Sequence, residues 1–416
     1  MVINMCEYNN VPKIRFKGFT DVWEQRKLGD LMDITSVKRI HQSDWTESGI
    51  RFLRARDIVA DYKKEEVEDK LYISKEKYEE YSLISGKVQI GDLLVTGVGT
   101  IGIPYLIRNN EPIYFKDGNI IWFKNNNKID DNFLYYSFVG SKIQNFINEK
   151  SGVGTVGTYT IQSGKETPIM LTNNNEQRKI SNLMSNLDNL ITLHQRKCDT
   201  LVNAKKSLLE KMFPKNSSNI PEIRFKEFTD VWEQRKLTSF VEFYNGQTYS
   251  PLNVQDKGTL VLRSSNVQNG EISKDDLVFI DSDVVNTNNV EIGDIIVVVR
   301  NGSRNLIGKH AQIKEKMTDT VIGAFMTGIR SKNSKFVNSL LNTRIFNDEI
   351  NKNMGATINQ ITGYMFSNME FKIPTNGEQS KIGELFTNLD NLITLHQRKL
   401  EKLKNIKKSM LDKMFV

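Results

Sequence analysis

Cysteines are scarce in this sequence and long apolar segments are missing, and both shortages restrict what the protein can be. Cys6 and Cys198 are the only cysteines among 416 residues. They lie far apart and form no CxxC pair, which argues against a disulfide framework or a cysteine-ligated metal and favours a reducing cytosol. The longest apolar run, residues 295–299, has only the length of a strand. The N-terminus lacks a basic region followed by an apolar core, so we expect no secretion signal.

Short enzyme signatures are missing as well. The sequence contains no GxxxxGK[ST] loop, no HExxH pair among its four histidines, and no Asn/Asp-Pro-Pro-aromatic motif of amino-methyltransferases. GxGxxG does occur at residues 97–102, but Pro104 follows where a dinucleotide site requires a helix. We interpret this segment as a glycine-rich turn between strands; the alternative, a nucleotide-using enzyme, would bind nucleotide as the purified chain. We predict no catalytic, cofactor-binding or metal-ligating residues, and no cofactor.

Composition and charge are those of a globular protein with a modest basic excess. Hydrophobic residues make up 38% and charged residues 26%, and the formal net charge is +7. At about 150 residues per domain, the length predicts two or three domains. The positive charge is compatible with a nucleic-acid partner, although by itself it does not identify one.

The chain contains two copies of one arrangement. Residues 14–28 recur as residues 223–237 with one difference, Gly18 against Glu227. Residues 186–197 recur unchanged as residues 388–399. Each half therefore consists of a shared opening, a long variable stretch and a shared closing segment. This order predicts the following segments: an N-terminal repeated segment 1–28, a first variable domain 29–175, a central helix 176–213, a linker and second opening 214–237, a second variable domain 238–377, and a C-terminal helix 378–416.

The closing segments predict two long amphipathic helices. Their apolar residues recur at spacings of three, four and seven, the pattern of a coiled-coil seam. They are Ile180, Leu183, Leu187, Leu190, Ile191, Leu201 and Leu208 in the first copy, and Ile382, Leu385, Leu389, Leu392, Ile393, Leu400, Leu403, Ile406 and Met410 in the second. A helix over residues 176–212 would be roughly 55 Å long, and Pro214 with the polar residues 215–219 would end it. We expect the two helices to pack on each other as an antiparallel coiled coil; a dimerisation arm is the alternative.

The variable stretches predict a mixed fold. Residues 88–95 and 290–297 each contain a Gly-Asp turn followed by a buried strand. Residues 51–54 and 260–263 predict a second pair of corresponding strands. We therefore expect two α+β modules with a common scaffold whose surfaces have diverged.

The doubled order resembles the specificity subunit of type I restriction-modification enzymes, over essentially the whole chain. The resemblance rests on the openings Trp23…Lys27-Leu28-Gly29-Asp30 and Trp232…Lys236-Leu237, and on the GDLLV…GTIG and GDIIV segments. It rests equally on the closings Glu176-Gln177-Arg178-Lys179-Ile180 and Glu378-Gln379-Ser380-Lys381-Ile382, preceded by Pro168 and Pro374. The sequence departs from the pattern at Thr238-Ser239, which replace the Gly-Asp of the first opening, and in the greater distance of Pro168 from its closing segment.

The resemblance implies a cytoplasmic, non-catalytic protein with two pseudo-symmetric target-recognition domains separated by the two long helices. Each domain would read one half of a split site in double-stranded DNA. The helices would hold the readers apart and dock modification subunits, two of them, which supply S-adenosylmethionine and adenine methylation. Restriction subunits would add ATP-driven translocation and cleavage, and no membrane partner is implied. The alternative is a stand-alone DNA-binding regulator or adaptor, which would bind its site tightly without partners.

Candidate contacts follow from the chemistry of DNA recognition. Bases are read by forked or amide side chains and phosphates by cations or hydroxyls, and half-sites recur on one face of a duplex about every 34–36 Å. The predicted DNA contacts are Lys38, Arg39, Arg54, Arg56, Thr100, Thr155, Thr158 and Tyr159 in the first module, and Arg263, Ser264, Ser265, Asn266, Arg300, Asn301, Arg304, Lys309, Asn359 and Gln360 in the second. The predicted partner-docking residues on the helices are Leu187, Leu190, His194, Leu389, Leu392 and His396.

Overall fold

The structure is a computed structural model that describes residues 10–151, 157–215, 218–354 and 359–416. The chain divides into two compact units. Unit 1 contains Met1–His194 together with Arg398–Val416, and unit 2 contains Gln195–Gln397. We call residues 29–175 module 1 and residues 238–377 module 2; the six-segment division given above stays a prediction. Within the described ranges, no helix has both the length and the apolar character needed to cross a membrane.

Module 1 and the repeated segments around it contain two small sheets. The strands are β1 (Glu24–Lys27), β2 (Asp33–Thr35), β3 (Trp45–Thr46), β4 (Ile50–Leu53), β5 (Leu71–Ile73), β6 (Leu93–Thr96), β7 (Pro104–Leu106), β8 (Ile113–Phe115), β9 (Ile120–Lys124) and β10 (Pro168–Leu171). The helices are α1 (Leu28–Leu31), α2 (Ala55–Lys63), α3 (Lys75–Ser85), α4 (Asp131–Val139), α5 (Ser141–Lys150), α6 (Ile161–Glu166) and the long α7 (Asn174–Lys211), with a 3-10 turn at Gln42–Asp44. One sheet is antiparallel in the order β2-β9-β6-β7, and the other has the order β3-β5-β4-β8 with β4 and β8 parallel. β1 pairs antiparallel with β10.

Module 2 is built in the same way. Its strands are β11 (Glu233–Lys236), β12 (Glu242–Asn245), β13 (Val254–Gln255), β14 (Thr259–Leu262), β15 (Val267–Gln268), β16 (Glu271–Ile272), β17 (Val278–Ile280), β18 (Ile295–Val298), β19 (His310–Gln312), β20 (Thr320–Ile322), β21 (Met326–Arg330) and β22 (Glu370–Ile373). Its helices are α8 (Ser334–Leu341), α9 (Arg344–Asn353), α10 (Gly363–Asn368) and the long α11 (Asn376–Met414), with 3-10 turns at Leu237–Ser239, Pro251–Asn253, Ser264–Asn266, Ser282–Val284 and Arg304–Leu306. The sheets have the orders β12-β21-β18-β19 and β13-β17-β14-β20, and β11 pairs with β22.

The two modules share one topology, as the repeat predicts. β14 and β20 run parallel, like β4 and β8, and every other pairing of the two main sheets is antiparallel in both modules. The modules differ between the two central strands of the mixed sheet. Helix α2 connects β4 to β5, whereas a 3-10 turn and the hairpin β15–β16 connect β14 to β17. The predicted α+β scaffold with a diverged exterior is confirmed.

The Gly-Asp turns explain why the buried strands β6 and β18 begin where they do. Gly91 and Gly293 adopt φ values of 91° and 96°, which favour glycine. Asp92 accepts a 2.9 Å hydrogen bond from the backbone of Gln89, and Asp294 accepts the same bond from Glu291. The four residues of each following strand are buried. The aspartates are therefore structural, and burial raises the pKa of Asp92 above its usual value.

The two long helices pack on each other in antiparallel orientation within each unit, and the predicted helices are confirmed. In unit 1, Asp188 on α7 pairs with Lys407 on α11 at 2.6 Å. In unit 2, Lys205 on α7 pairs with Asp390 on α11, also at 2.6 Å. These two ion pairs are equivalent in the repeat, because residues 188 and 390, like 205 and 407, are 202 positions apart. Apolar residues towards the ends of the two helices join the core of each unit.

Each repeated opening segment, residues 14–28 or 223–237, is bound to the start of a long helix in its own unit. Arg15 makes two hydrogen bonds to the buried carboxylate of Glu176, at 2.6 and 2.8 Å. Arg224 binds Glu378 in the same way, at 2.8 and 2.7 Å. The repeated order of opening and closing segments therefore has a structural reason: each opening pairs with the strand just before a long helix and forms a bidentate ion pair at the start of that helix.

Candidate nucleic-acid interface

Loops from both sheets of module 1 meet in one place, which we call edge 1: residues 36–41, 97–103, 116–119 and 157–160. The backbone NH of Gly97 donates to Asn119 at 2.8 Å, and the NH of Tyr159 donates to the carbonyl of Gly97 at 2.8 Å. Val98 lies opposite Thr158 in an antiparallel bridge. Edge 1 is therefore held together by backbone hydrogen bonds, which leave its outward side chains free to vary.

The corresponding loops of module 2 form edge 2: residues 245–251, 299–309, 323–325 and 359–362. The NH of Val299 donates to Phe325 at 3.0 Å, and the NH of Ile361 donates to Val299 at 2.8 Å. Arg300 lies opposite Gln360 in an antiparallel bridge. These bonds repeat those of edge 1 at a spacing of 202 residues for the 97–98 and 158–159 segments. The two edges thus have the same backbone framework.

The side chains on this common framework are unlike. Edge 1 carries Val98, Gly99 and Thr100 with Gly157 and Thr158, whereas edge 2 carries Arg300, Asn301 and Gly302 with Asn359 and Gln360 at the equivalent positions. At these equivalent positions the side chains of edge 1 are small and neutral, whereas edge 2 carries forked and amide side chains. Two edges of this kind would select different partners even though their backbone frameworks are the same.

The glycine-rich segment of residues 97–102 is a turn that joins β6 to β7, and no helix begins there. The interpretation as a turn between strands is confirmed. A dinucleotide site requires a helix that begins at the glycine-rich segment, so the structure does not support the nucleotide-binding alternative. Gly97 is required by packing, because a Cβ at this position would lie 2.6 Å from the carbonyl oxygen of Tyr159. Gly99 and Gly102 have φ values of 78° and 77°.

Arg54 and Arg263, both predicted DNA contacts, are scaffold residues at the ends of β4 and β14. Arg54 binds the buried Asp57 at 2.9 Å and the carbonyl of Asp69 at 2.6 Å. In module 2, Arg263 donates to the carbonyl of Asp276 at 3.1 Å, as Arg54 does to that of Asp69. Arg263 also forms an ion pair of 2.7 Å with the carboxylate of Asp276. Burial alone would lower the pKa of Arg54, but hydrogen bonds to the two carboxylates raise it. The fold therefore engages both guanidinium groups in ion pairs, while the buried Nε of Arg263 has no hydrogen-bond partner among the described residues.

Several other predicted contacts are also engaged in the fold. Tyr159 is 2% exposed, and its hydroxyl shares a hydrogen bond with Thr167. Asn266 is fully buried, and its side chain bonds the backbone of Arg263, Ser273 and Asp275. These side chains are positioning groups, and we correct the expectation that they face a duplex. The amide of Asn301 donates to Ser264 at 3.1 Å, and that of Asn359 donates to Gly302 at 3.0 Å. Thr155 lies outside the described residues.

The remaining predicted contacts lie on the surface of the two edges or beside them. Arg39 is exposed and pairs with Asp117 at 2.8 Å across edge 1. Lys38 lies over the ring of Tyr81, with its Nζ 4.1 Å from the centroid, and Arg56 pairs with Asp69. Ser264 is half-exposed and accepts the hydrogen bond from Asn301. The other predicted residues that are exposed or half-exposed are Thr100, Thr158, Ser265, Arg300, Arg304, Lys309 and Gln360. About half of the predicted set is therefore accessible on the surface of its own module.

Sequence reasoning missed two apolar side chains at these edges. Phe325 is 53% exposed, and the guanidinium carbon of Arg300 lies 5.1 Å from the centroid of its ring. Phe325 also lines an open groove of about 610 Å³ together with Tyr249, Arg263 and Ser265. The second missed residue is Val98, the partner of Thr158. Neither could be recognised from sequence, since an apolar residue in a turn is normally counted as core.

The predicted docking residues of the helices fall into two groups. Leu187 is buried and Leu389 is half-buried, and both pack on the cores of their units. Leu190 and its repeat equivalent Leu392 are 43% and 44% exposed. His194 and His396 each have interactions within the chain. Leu193 and Leu395, which were not predicted, are also exposed in both copies. The unchanged twelve-residue repeat therefore presents the same apolar side chains twice.

Two modules of one topology, each with its own set of edge side chains, define a class of protein that carries two copies of one scaffold with different surfaces. The family is given by comparison with known proteins. Residues 20–203 and 229–405 match the family model described as the type I restriction modification DNA specificity domain. The chain therefore belongs to this family, whose members recognise DNA sequences in restriction-modification enzymes.

Named relatives and solved structures agree with this assignment. The type I restriction enzyme MjaVIII specificity subunit of Methanocaldococcus jannaschii is 25% identical over 301 residues, which is 69% of this chain and 70% of that protein. The putative MjaX specificity subunit of the same organism is 23% identical over 99% of this chain and 97% of its own. The fold resembles that of a type I restriction-modification S subunit from M. genitalium, with a TM-score of 0.58, 17% identity, and coverage of 98% and 99%.

Proposed function

We propose that this chain is the sequence-reading subunit of a type I restriction-modification complex, in which edge 1 and edge 2 each read one half of a split DNA site. The observation that carries the proposal is the shared backbone framework of the edges combined with their unlike side chains. A common framework lets two readers approach DNA alike, and different side chains make them select different bases. Membership of the family disfavours the alternative of a stand-alone regulator or adaptor.

The proposed contacts are the predicted residues whose side chains remain accessible. They are Lys38, Arg39, Arg56, Thr100 and Thr158 in module 1, and Ser265, Arg300, Arg304, Lys309 and Gln360 in module 2. Lysines and hydroxyls suit phosphate contacts, which fix the register on the duplex, whereas forked and amide groups suit base edges. Arg54, Tyr159, Arg263, Asn266, Asn301 and Asn359 support these contacts by holding the loops that carry them.

The long helices have two proposed roles, as a spacer between the readers and as a docking surface. The segment repeated without change exposes Leu190 and Leu193 in one copy and Leu392 and Leu395 in the other. An identical surface presented twice suits two copies of one partner, which we propose to be modification subunits. The fold also resembles a structure described by its complex assembly and conformational transition in a type I system, with a TM-score of 0.51 and 14% identity over 94% of this chain and 97% of that one.

In this proposal the partners perform the chemistry. The modification subunits would bind S-adenosylmethionine and methylate adenine, restriction subunits would translocate and cleave DNA, and this chain would bind no cofactor and act in the cytoplasm. The experiment that tests the proposal is methylome sequencing of the source strain with and without the chain. A split adenine-methylated sequence should disappear on deletion and return on complementation. An unchanged methylome in a strain that expresses the partners would refute the proposal.

A further inference from the structure

Within the described part of the two modules, the guanidinium of Arg300 has neither an ion pair nor a side-chain hydrogen bond. Seven of the other arginines there pair with acidic residues, and Arg108 bonds the amide of Asn132. The seven are Arg39, Arg51, Arg54, Arg56, Arg263, Arg330 and Arg344. Arg304 also has an interaction within the chain. Across residues 10–151, 157–215, 218–354 and 359–416, the contact found for the Arg300 guanidinium is the face of Phe325.

Within the described residues, no hydrogen bond occupies the side chain of Arg300. A cation–π contact restricts the rotamers of a guanidinium, and the N–H donors that do not face the ring stay free to bind another partner. Phe325 is half exposed, and its carbonyl accepts hydrogen bonds from Val299 and Arg300 at 3.0 and 3.2 Å. The backbone of Phe325 is therefore bound to the segment that carries Arg300, and its ring lies beside the guanidinium.

The bridge also determines which neighbour Arg300 has. Gln360 lies directly opposite, so the two side chains project on the same side of the paired segments. Asn301 is not equivalent, because its amide is bound to Ser264 and accepts from the backbone of Ser303. The edge 1 counterparts of Arg300 and Gln360 are Val98 and Thr158, which have no forked donor.

A fixed fork of donors with no acidic partner matches the major-groove edge of guanine. Guanine presents two acceptors there, O6 and N7, and a bidentate arginine is the commonest specific contact to it. Resting on the proposed function, we infer that Arg300 reads a guanine in the half-site of module 2, with Phe325 as its positioning residue. The counterpart Val98 has no side-chain donor and cannot make this contact.

The test replaces single atoms of the DNA. After the methylated sequence is known, duplexes are made with 7-deazaguanine at one half-site guanine at a time, which removes the N7 acceptor. Methylation by the full complex is measured with the wild-type chain and with Arg300→Lys and Arg300→Ala. With the wild type, one guanine of a single half-site should be sensitive. With Arg300→Ala, discrimination at that position should fall by about 5- to 150-fold, and the effect of 7-deazaguanine there should vanish. Arg300→Lys should lose part of the discrimination, because it keeps donors but not their fixed geometry.

Arg300→Lys separates base reading from phosphate binding, because it keeps the charge and loses the fork. Lys309→Ala is the matched control on the same loop, and it should weaken methylation of all sequences similarly. The inference is overturned if Arg300→Ala also weakens all sequences alike, or if both variants retain the 7-deazaguanine effect. Both outcomes leave a split methylated site in place, whereas the proposed function fails only if the wild-type complex has no such site.

Discussion

At the scale of single residues, the most consequential finding is that the repeated motifs are structural. Glu176 and Glu378, which begin the shared closing segments, are buried and bound by Arg15 and Arg224 of the shared openings. Burial alone would raise the pKa of Glu176, but hydrogen bonds from Arg15 and Thr172 and the charge of Arg15 outweigh burial and lower it. The opening and closing motifs that carry the family resemblance therefore preserve the closure of each unit.

Glu176→Gln should loosen unit 1 selectively. The substitution leaves Arg15 without its carboxylate, and breaking a buried ion pair costs about 3 kcal/mol. Hydrogen exchange of the full chain should become faster in β1 and β10, while β11 and β22 keep their protection. Glu378→Gln is the matched control and should give the reverse pattern. Equal loss in both units from either variant would show that the two ion pairs do not act locally.

The lowered pKa of Glu176 also predicts a pH dependence. A carboxyl group with a folded pKa below its unfolded value, about 4.3, contributes stability that is fully present above that value and is lost as the pH falls through the folded pKa. Protection of β1 and β10 in the wild type should therefore decrease below about pH 4. Glu176→Gln should remove this component of the acid sensitivity. A variant that loses protection over the same acid range by the same amount would contradict the assignment.

The residue scale also shows where sequence reasoning stops. Residue type identified Arg54, Arg263 and Arg300 equally well as DNA contacts, but the fold supplies carboxylates to the first two and an aromatic ring to the third. Which arginine is occupied depends on Asp57, three residues along in helix α2, and on Asp69 and Asp276, which reach the strand ends only after folding. A list of residue types cannot contain that information.

At the scale of elements, the sequence was most informative where the pattern was long or duplicated. The helices α7 and α11 follow from the spacing of their apolar residues, and β6 and β18 follow from a Gly-Asp turn before an apolar run. Helix α2 and the hairpin β15–β16 could not be paired in advance, since they replace each other at one position of the topology. Divergence removes the signal in the regions where the modules acquire different surfaces.

Gly97→Ala tests the backbone framework of edge 1. The added methyl group would lie 2.6 Å from the carbonyl oxygen of Tyr159, so the bridge between Val98 and Thr158 must shift. We expect a loss of about 1–3 kcal/mol in unfolding free energy and weaker recognition of one half-site only, measured by denaturant unfolding and by methylation of single-base variants. Gly302→Ala is the control, because nothing lies within 4 Å of its added Cβ. Equal effects of the two substitutions would refute this account of the turn.

The exposed leucines of the repeated helical segment should mediate partner docking. Leu190→Asp combined with Leu392→Asp should reduce co-purification of the modification subunit at least tenfold, since both apolar side chains are exposed and the segment containing them is identical in the two copies. Val202→Asp is the matched control, because Val202 is 46% exposed on α7 but its repeat equivalent is Lys404. Each single substitution should remove one of two partners. Normal stoichiometry in the double variant would exclude this surface.

At the scale of the whole molecule, the long helices should set the spacing of the recognised site. One extra heptad after Arg196 and another after Arg398 would lengthen both helices by about 10 Å, while the ion pairs Asp188–Lys407 and Lys205–Asp390 keep their residues. We expect methylome sequencing to find the same half-sites with an unspecified spacer longer by about 3 base pairs. An active complex with an unchanged spacer would show that the long helices do not set the distance between the two half-sites.

The central claim, that each module reads its own half-site, is tested most directly by exchanging one module. Residues 29–173 would be replaced by the corresponding domain of another family member, and the methylome of the resulting strain would be sequenced. The sequence should change in one half only, with the other half and the spacer retained, because edge 2 and both long helices are unaltered. If both halves change, the modules do not recognise DNA independently, and the claim is wrong.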